Sequence, residues 1–218
     1  MDGLYGSRDW VRHILGRRLV TTPGTRFAYS SASSHLLSAI VADATGQSTL
    51  ALARARLFGP LGIGSAKALE PVFVTHPSQA LVKAYERAAV AWPTDPQGYH
   101  LGFGWLKLPA RDLAKLGYLY LNGGRWDTTQ VIPADYVAAS TRARSRPPPG
   151  VAAESYGYQW WVANQAGHSS FLAVGFGGQR IQVIPDLDLV VVITTDAAQQ
   201  RDDADNLVGE TIIPAVTG

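Results

Sequence analysis

Cysteine is absent from the 218 residues, which excludes disulfides and thiolate metal sites. Methionine occurs once and lysine four times, at Lys67, Lys83, Lys107 and Lys115. No charge of one sign dominates: 19 basic residues stand against 17 acidic ones, so nothing pulls the chain toward nucleic acid or an anionic membrane, and neither is expected as a partner. No run of eighteen apolar residues occurs, and the opening Met1-Asp2-Gly3-Leu4-Tyr5 lacks a basic segment followed by an apolar one. The chain therefore reads as soluble, without a visible export signal. His13, His35, His76, His100 and His168 show no helical ligand spacing, so they read as surface or satisfied histidines, and no metal or organic cofactor is expected.

What is present is an apolar content of 46%, enough for one large domain or two small ones. Trp10, Val11, Ile14 and Leu15 recur at helical spacing, and this helix is expected to stop before Thr21-Thr22-Pro23-Gly24. Leu36, Leu37, Ile40, Val41 and Ala44 form an apolar stripe predicted to pack firmly on a core, with Gly46 as the left-handed stop. Ser48 is an N-cap for a helix to about Phe58. Residues 66–108 are irregular in pattern; helices follow over Arg111–Leu121 and Pro133–Ser140. Arg142 to Gly150 carries three arginines and three prolines and reads as a solvated crossing loop. Tyr156–Val162, Ser169–Val174, Arg180–Ile184 and Leu189–Thr194 read as antiparallel strands. Asp202, Asp203 and Asp205 suit the start of a last helix, whose Leu207, Val208, Ile212 and Ile213 can cover one face of the sheet. The expected class is α/β of the α+β kind, with a mainly helical region over 1–141 and strands plus a C-terminal helix over 151–218.

The run Pro23-Gly24-Thr25-Arg26-Phe27-Ala28-Tyr29-Ser30-Ser31 leads straight into the second helix. Alone it reads as a packed aromatic followed by N-capping hydroxyls. It keeps company with Leu61-Gly62-Ile63, Asp112-Leu113-Ala114-Lys115-Leu116-Gly117, Leu121-Asn122-Gly123-Gly124-Arg125-Trp126, Tyr156-Gly157-Tyr158-Gln159-Trp160-Trp161, Gly175-Phe176-Gly177-Gly178-Gln179 and Gln182 through Val192. Each is weak. In this order they resemble, over nearly the whole chain, serine hydrolases of the β-lactamase and penicillin-binding-protein superfamily. The nearest branch is that of class C β-lactamases, family VIII esterases, D-aminopeptidases and 6-aminohexanoate-oligomer hydrolases.

The resemblance implies a transpeptidase-like fold and hydrolysis of a small ester or amide through an acyl-enzyme. Three motifs serve that chemistry: Ser-x-x-Lys, Tyr-x-Asn and a Lys-Thr-Gly-like triplet. Tyr29-Ser30-Ser31 matches the second, with Tyr29 as the proton-moving residue and Ser31, a substrate-contacting position, where asparagine is usual. Ala173-Val174-Gly175 aligns with the third, with Ala173 in place of a cation. That departure favours esters or amides without an essential anion. The resemblance also makes the Phe176 backbone N–H an oxyanion donor, and Gly175, Gly177 and Trp161 are further substrate-binding candidates. Without the resemblance, Gly175, Gly177 and Gly178 read as a plain hairpin or bulge. Trp160 and Trp161 should point to opposite faces of a strand. His168-Ser169-Ser170 lies too far before the Gly-rich turn to replace the triplet.

The first motif is missing. Three residues before the four lysines stand Gly64, Ala80, Gly104 and Asp112, so no Ser-x-x-Lys exists, and no Gly-x-Ser-x-Gly replaces it. The expected reading is an N-terminally incomplete, inactive hydrolase domain over 1–218, whose partner is the missing N-terminal segment. Such a chain should expose apolar surface and an unpaired strand edge, and be less stable or more associating than the complete protein. The rival is a non-catalytic ligand-binding or regulatory module using Tyr29, Trp161 and Phe176.

Overall fold

The computed structural model describes residues 3–64, 67–73, 77–148, 153–195 and 204–218. They form two compact units: Met1–Pro23 with Tyr29–Pro109, and Gly24–Ala28 with Ala110–Gly218.

In the first unit, helix α1 (Trp10–Leu15) starts where the Asp9 carboxylate accepts from the Arg12 N–H and ends at Gly16, earlier than expected. Helix α2 spans Ser31–Thr45, capped by the Ser30 hydroxyl and closed by Gly46 at φ +65°. Helix α3 (Thr49–Ala53), capped by Ser48, widens into a π-helical turn over Arg54–Phe58. Helix α4 (Gln79–Arg87), capped by Ser78, lies in the stretch read as irregular. Its signal was the serine cap before Leu81, Ala84 and Tyr85 at helical spacing. Leu4, Trp10 and Leu101 form one hydrophobic cluster of this unit, with Tyr5, Ile14, Phe73 and Phe103 packed against it, and Leu50, Phe58, Leu61 and Ile63 are buried as well.

The second unit contains α5 (Ala110–Leu121), a short hairpin of β1 (Arg125–Trp126) and β2 (Thr129–Gln130), and α6 (Ala134–Ser140). Strands β3 (Ser155–Tyr156), β4 (Trp161–Gln165), β5 (His168–Gly175), β6 (Gln179–Ile184) and β7 (Leu189–Ile193) then form an antiparallel meander in that order. The expected strand over Tyr156–Val162 is broken, because Tyr156-Gly157-Tyr158-Gln159-Trp160 makes a turn with the Gly157 N–H donating to the Trp160 carbonyl. Residues Ala204–Thr217 complete the chain as helical segments α7 (Ala204–Asn206), a π-helical stretch (Leu207–Ile212) and α8 (Ile213–Thr217). Asp202 and Asp203 lie outside the described residues.

Each face of the sheet is covered by a helix for a legible reason. On one face Ile184 and Val191 bury against Val208 and Ile213, each side chain stabilising by roughly 2 kcal/mol. On the other, α5 approaches closely enough that a Cβ on Gly117 would lie 2.5 Å from Val190 Cγ1 and 3.0 Å from Ile181 Cγ2. Tyr120 of α5 stacks on Trp160 at 4.7 Å, and Trp160 on Phe171 at 5.3 Å. Burial pushes the Tyr120 hydroxyl up from its ordinary range.

Beside the first cluster lies a buried polar network. Arg180 Nη2 donates to Asp205 at 2.5 Å and its Nη1 to Gln182 at 3.0 Å. Gln182 Nε2 donates in turn to Gln165 and Ser170. Among the described residues no single helix is long and apolar enough to cross a membrane; α2 and α3 with its π-helical turn reach that length together but bend by 77° at their break.

Candidate active site

Ser30 anchors the start of α2: its hydroxyl accepts from the Ser33 N–H at 3.1 Å and from the Ser33 hydroxyl at 3.0 Å. Ser31 becomes the first helical residue and is half-buried, while Tyr29, one residue before the cap, is 58% exposed.

The body of α2 overturns the expectation that its apolar stripe packs on a core. Of that stripe Leu37, Ile40 and Ala44 are exposed and Leu36 and Val41 only half-buried, whereas the buried residues are Ser34, His35, Ser38 and Ala39. The physical reason is the approach of the 95–102 loop. A Cβ on Gly102 would lie 2.3 Å from the Ser34 carbonyl oxygen, so only small residues fit there. His35 Nε2 meets the Asp95 carboxylate at 3.0 Å with both side chains fully buried. The Gly102 N–H approaches His35 Nδ1 at 3.4 Å, and Nε2 is the ring nitrogen that faces Asp95. Asp95 Oδ1 accepts from the N–H groups of Gln97 and Tyr99 at 2.8 and 2.9 Å, and Trp10 stacks edge-on against His35 at 5.3 Å. On α2 Ser38 also bonds Thr49, hydroxyl to hydroxyl, at 2.7 Å. Hydrogen-bonding capacity, rather than hydropathy, decides which face of α2 is inside.

A second buried histidine, His100, stacks on Trp92 at 5.2 Å. The Glu70 carboxylate lies 3.4 Å from its Nε2, close enough for attraction, but neither ring nitrogen has a well-directed hydrogen bond among the described residues. Burial lowers its pKa below the ordinary histidine range, with Glu70 opposing.

The other candidates belong to the second unit. Ala173 is half-buried on β5 opposite Ile181, and Gly175 pairs with Gln179. Phe176 follows in the connection to β6 with its ring 74% exposed. Gly177 and Gly178 take φ values of +82° and +86°, turning the chain back, and the Thr195 hydroxyl donates to the Gly177 carbonyl. The hairpin reading of these glycines is thus what the backbone shows. Trp161 opens β4 opposite Leu172, its ring 4.7 Å from Tyr156 and 6.1 Å from Phe27, while Trp160 turns toward Tyr120. The two tryptophans pack on different partners, but Trp160 lies in the turn before β4 rather than on a strand, so the expected alternation along one strand is not what separates them.

His168 sits at the far end of β5 from Gly175, seven residues or about 23 Å of strand away, with Nδ1 2.6 Å from Asp186. Arg144 is not simply solvated: its guanidinium lies 4.1 Å over the Tyr158 ring and its Nε donates to the Ala139 carbonyl. Tyr29 and Ser31 therefore share the first unit with the His35–Asp95 pair, and Trp161, Ala173, Gly175, Phe176 and Gly177 share the second. The His35–Asp95 pair escaped the sequence reading because its partners are sixty residues apart.

Comparison with solved structures fits this architecture. A Bacillus anthracis protein assigned as a 6-aminohexanoate-dimer hydrolase superposes with a TM-score of 0.71 at 21% identity, covering 93% of this chain and 47% of that one. SurE gives 0.68 at 18%, over 97% and 51%. An octameric penicillin-binding protein homologue from Pyrococcus abyssi gives 0.64 at 19%, over 89% and 44%. These likenesses show the fold, an antiparallel sheet with helices in the β-lactamase/transpeptidase manner, and this chain spans about half the length of the structures it matches. No curated protein matches it. The family model described as Beta-lactamase matches residues 2–210, across both units and every motif from Tyr29 to the Gly-rich hairpin, and the chain belongs to that family.

Proposed function

We propose that these 218 residues are the part of a serine hydrolase that moves protons and holds the oxyanion, and that the nucleophilic serine and its lysine come from a segment they do not contain. The observation that carries this reading is Tyr29-Ser30-Ser31 at the mouth of α2, in a chain of this family that has no Ser-x-x-Lys.

In this reading the serine attacks the carbonyl of an ester or amide and its proton passes to the lysine and Tyr29. Tyr29 then protonates the leaving alcohol or amine, and water releases the acyl group by the reverse path. The Phe176 N–H is one of two oxyanion donors, with the serine's own N–H as the other. Ser31, Trp161, Ala173, Gly175 and Gly177 border the substrate. With Ala173 in the position of a cation, the preferred substrate carries no essential anion there. Without the serine and lysine, the chain alone transfers no acyl group.

Two surfaces support a complementing segment. Leu37 and Ile40 of α2 are 47% and 60% exposed on a helix whose opposite side is fully engaged. Strand β7, Leu-Val-Val-Val-Ile, has both faces covered and pairs only with β6 among the described residues. It carries no charge, proline or bulge of the kind that protects a true edge.

The test reads the DNA upstream of Met1 in frame. A Ser-x-x-Lys is expected there, and the extended protein should hydrolyse p-nitrophenyl acetate and take up a fluorophosphonate on that serine. Absence of the motif, or an extended protein that no fluorophosphonate labels, refutes the reading.

A further inference from the structure

We infer that the Trp105 indole is a recognition surface for an uncharged aryl group of the substrate, on the same unit as Tyr29. Its substrate context rests on the serine-hydrolase reading above; the contact itself rests on the local geometry.

Five described residues other than glycine have left-handed backbones: Trp105, Asp127, Gln159, Ala166 and Asp188, with φ between +49° and +64°. Asp127, Gln159, Ala166 and Asp188 each sit in a connection between consecutive strands of a hairpin, where such geometry is the ordinary means of turning. Trp105 does not. It lies between the turn at 102–104 and Lys107, whose N–H and carbonyl pair with Ala91. A bulky side chain in this region is an outlier that its surroundings must hold in place. The holder is Tyr85 on α4, whose hydroxyl donates to the Trp105 carbonyl at 3.0 Å. A tyrosine hydroxyl is protonated and able to donate at neutral pH, and burial raises its pKa further above the ordinary value.

The strain does not serve to bury the ring. Trp105 remains 49% exposed, edged by Phe73 at 5.2 Å and Tyr85 at 5.9 Å. A core role would hide it; a turn role would use glycine. What the arrangement achieves is a fixed indole, backed by two aromatic rings and open to solvent.

Its position ties it to the α2 mouth, because the chain three residues earlier is pressed on the Ser34 backbone at Gly102 and Phe103 stacks on His35 at 6.0 Å. The chemistry favours a neutral aryl partner. Lys107 Nζ, 5.6 Å from the Tyr85 ring centroid, is bonded to the Tyr85 and Glu86 carbonyls, so its charge opposes a cation nearby while its donors are engaged by α4. Stacking and burial are what remain for recognition.

The test titrates the 218-residue chain with phenylacetamide, an uncharged and unreactive aryl amide, following the indole N–H peak that Trp105→Phe removes. That peak should shift with phenylacetamide and not with acetamide. Trp105→Gly, which accepts the backbone without strain and deletes the ring, should weaken binding about tenfold. Trp105→Phe, followed by saturation transfer from the ligand, should stay within about threefold of the parent, because an aromatic face remains.

An unmoved indole peak, an equal response to acetamide, or unchanged affinity in a folded Trp105→Gly overturns the proposal. Loss of serine labelling in the extended protein with the phenylacetamide contrast intact would sink acyl transfer and leave this contact standing. Labelling retained without the contrast would do the reverse.

Discussion

Replacing Gly117 by alanine should destabilise the second unit, although the same change in an exposed helix would stabilise it. Glycine inside a helix costs about 1 kcal/mol relative to alanine, so Gly117→Ala begins with that gain. The new methyl, however, would lie 2.5 Å from Val190 Cγ1, 3.0 Å from Ile181 Cγ2 and 3.6 Å from Val183 Cγ2. Carbon atoms rest at about 3.5–4.0 Å, so the first contact overlaps by roughly 1 Å. Val190 is held on β7 opposite Val183, and Ile181 on β6 opposite Val192, so the walls cannot retreat independently. Overpacking of this kind costs about 1–3 kcal/mol, and the rigid pairing puts it near the upper end. The net expectation is a loss of about 1–2 kcal/mol, or a Tm lower by about 2–8 °C for a chain of this size. Urea unfolding should show a lower midpoint at unchanged slope. Val190→Ala removes the nearest atom, so the double variant should recover at least about 1 kcal/mol relative to additivity. A Gly117→Ala protein more stable than the parent would refute the packing of α5 on the sheet.

His100 gives a pH dependence of definite sign. Its folded pKa is lowered by burial below the unfolded value of about 6.5, so below that pH the unfolded chain takes up a proton that the folded chain refuses. Stability should fall on acidification, by up to about 1.4 kcal/mol per pH unit until the folded pKa is reached. The Tm difference between the parent and His100→Leu should therefore shift in favour of the variant from pH 7 to 5. Arg180→Ala strips Asp205 and Gln182 of their buried partner and should cost about 3 kcal/mol in urea unfolding, where a surface pair would cost under about 1. Tyr29→Phe keeps the half-exposed ring and removes one hydroxyl, so it should cost no more than about 1.5 kcal/mol of stability while lowering kcat of the extended protein by about 10²–10⁴-fold.

Much of the fold is legible because hydropathy and turn chemistry coincide. The C-terminal strands alternate or run apolar between Gly and Asp turns, and Ser30 and Ser48 cap the helices they precede. The face of α2 was misread because its stripe counts methyl groups, whereas the side turned inward is chosen by Asp95, Gly102 and Thr49, which lie far away in sequence. Helix α4 was missed because its apolar face is short, though Ser78 announced it. Gly117 stands in a motif legible in the sequence, but the reason it is glycine, a neighbouring strand in the place of a Cβ, appears only in the fold, and the same holds for Gly102, which no motif marks. The left-handed backbone of Trp105 was not legible, since it depends on a hydroxyl twenty residues earlier.

The measurement that bears most directly on the account is the intact mass of the 218-residue chain after incubation with a fluorophosphonate. With no Ser-x-x-Lys among these residues, the account predicts an unchanged mass and no hydrolysis of p-nitrophenyl acetate above the rate in buffer. A one-to-one adduct on any serine of the chain, Ser31 included, would contradict it.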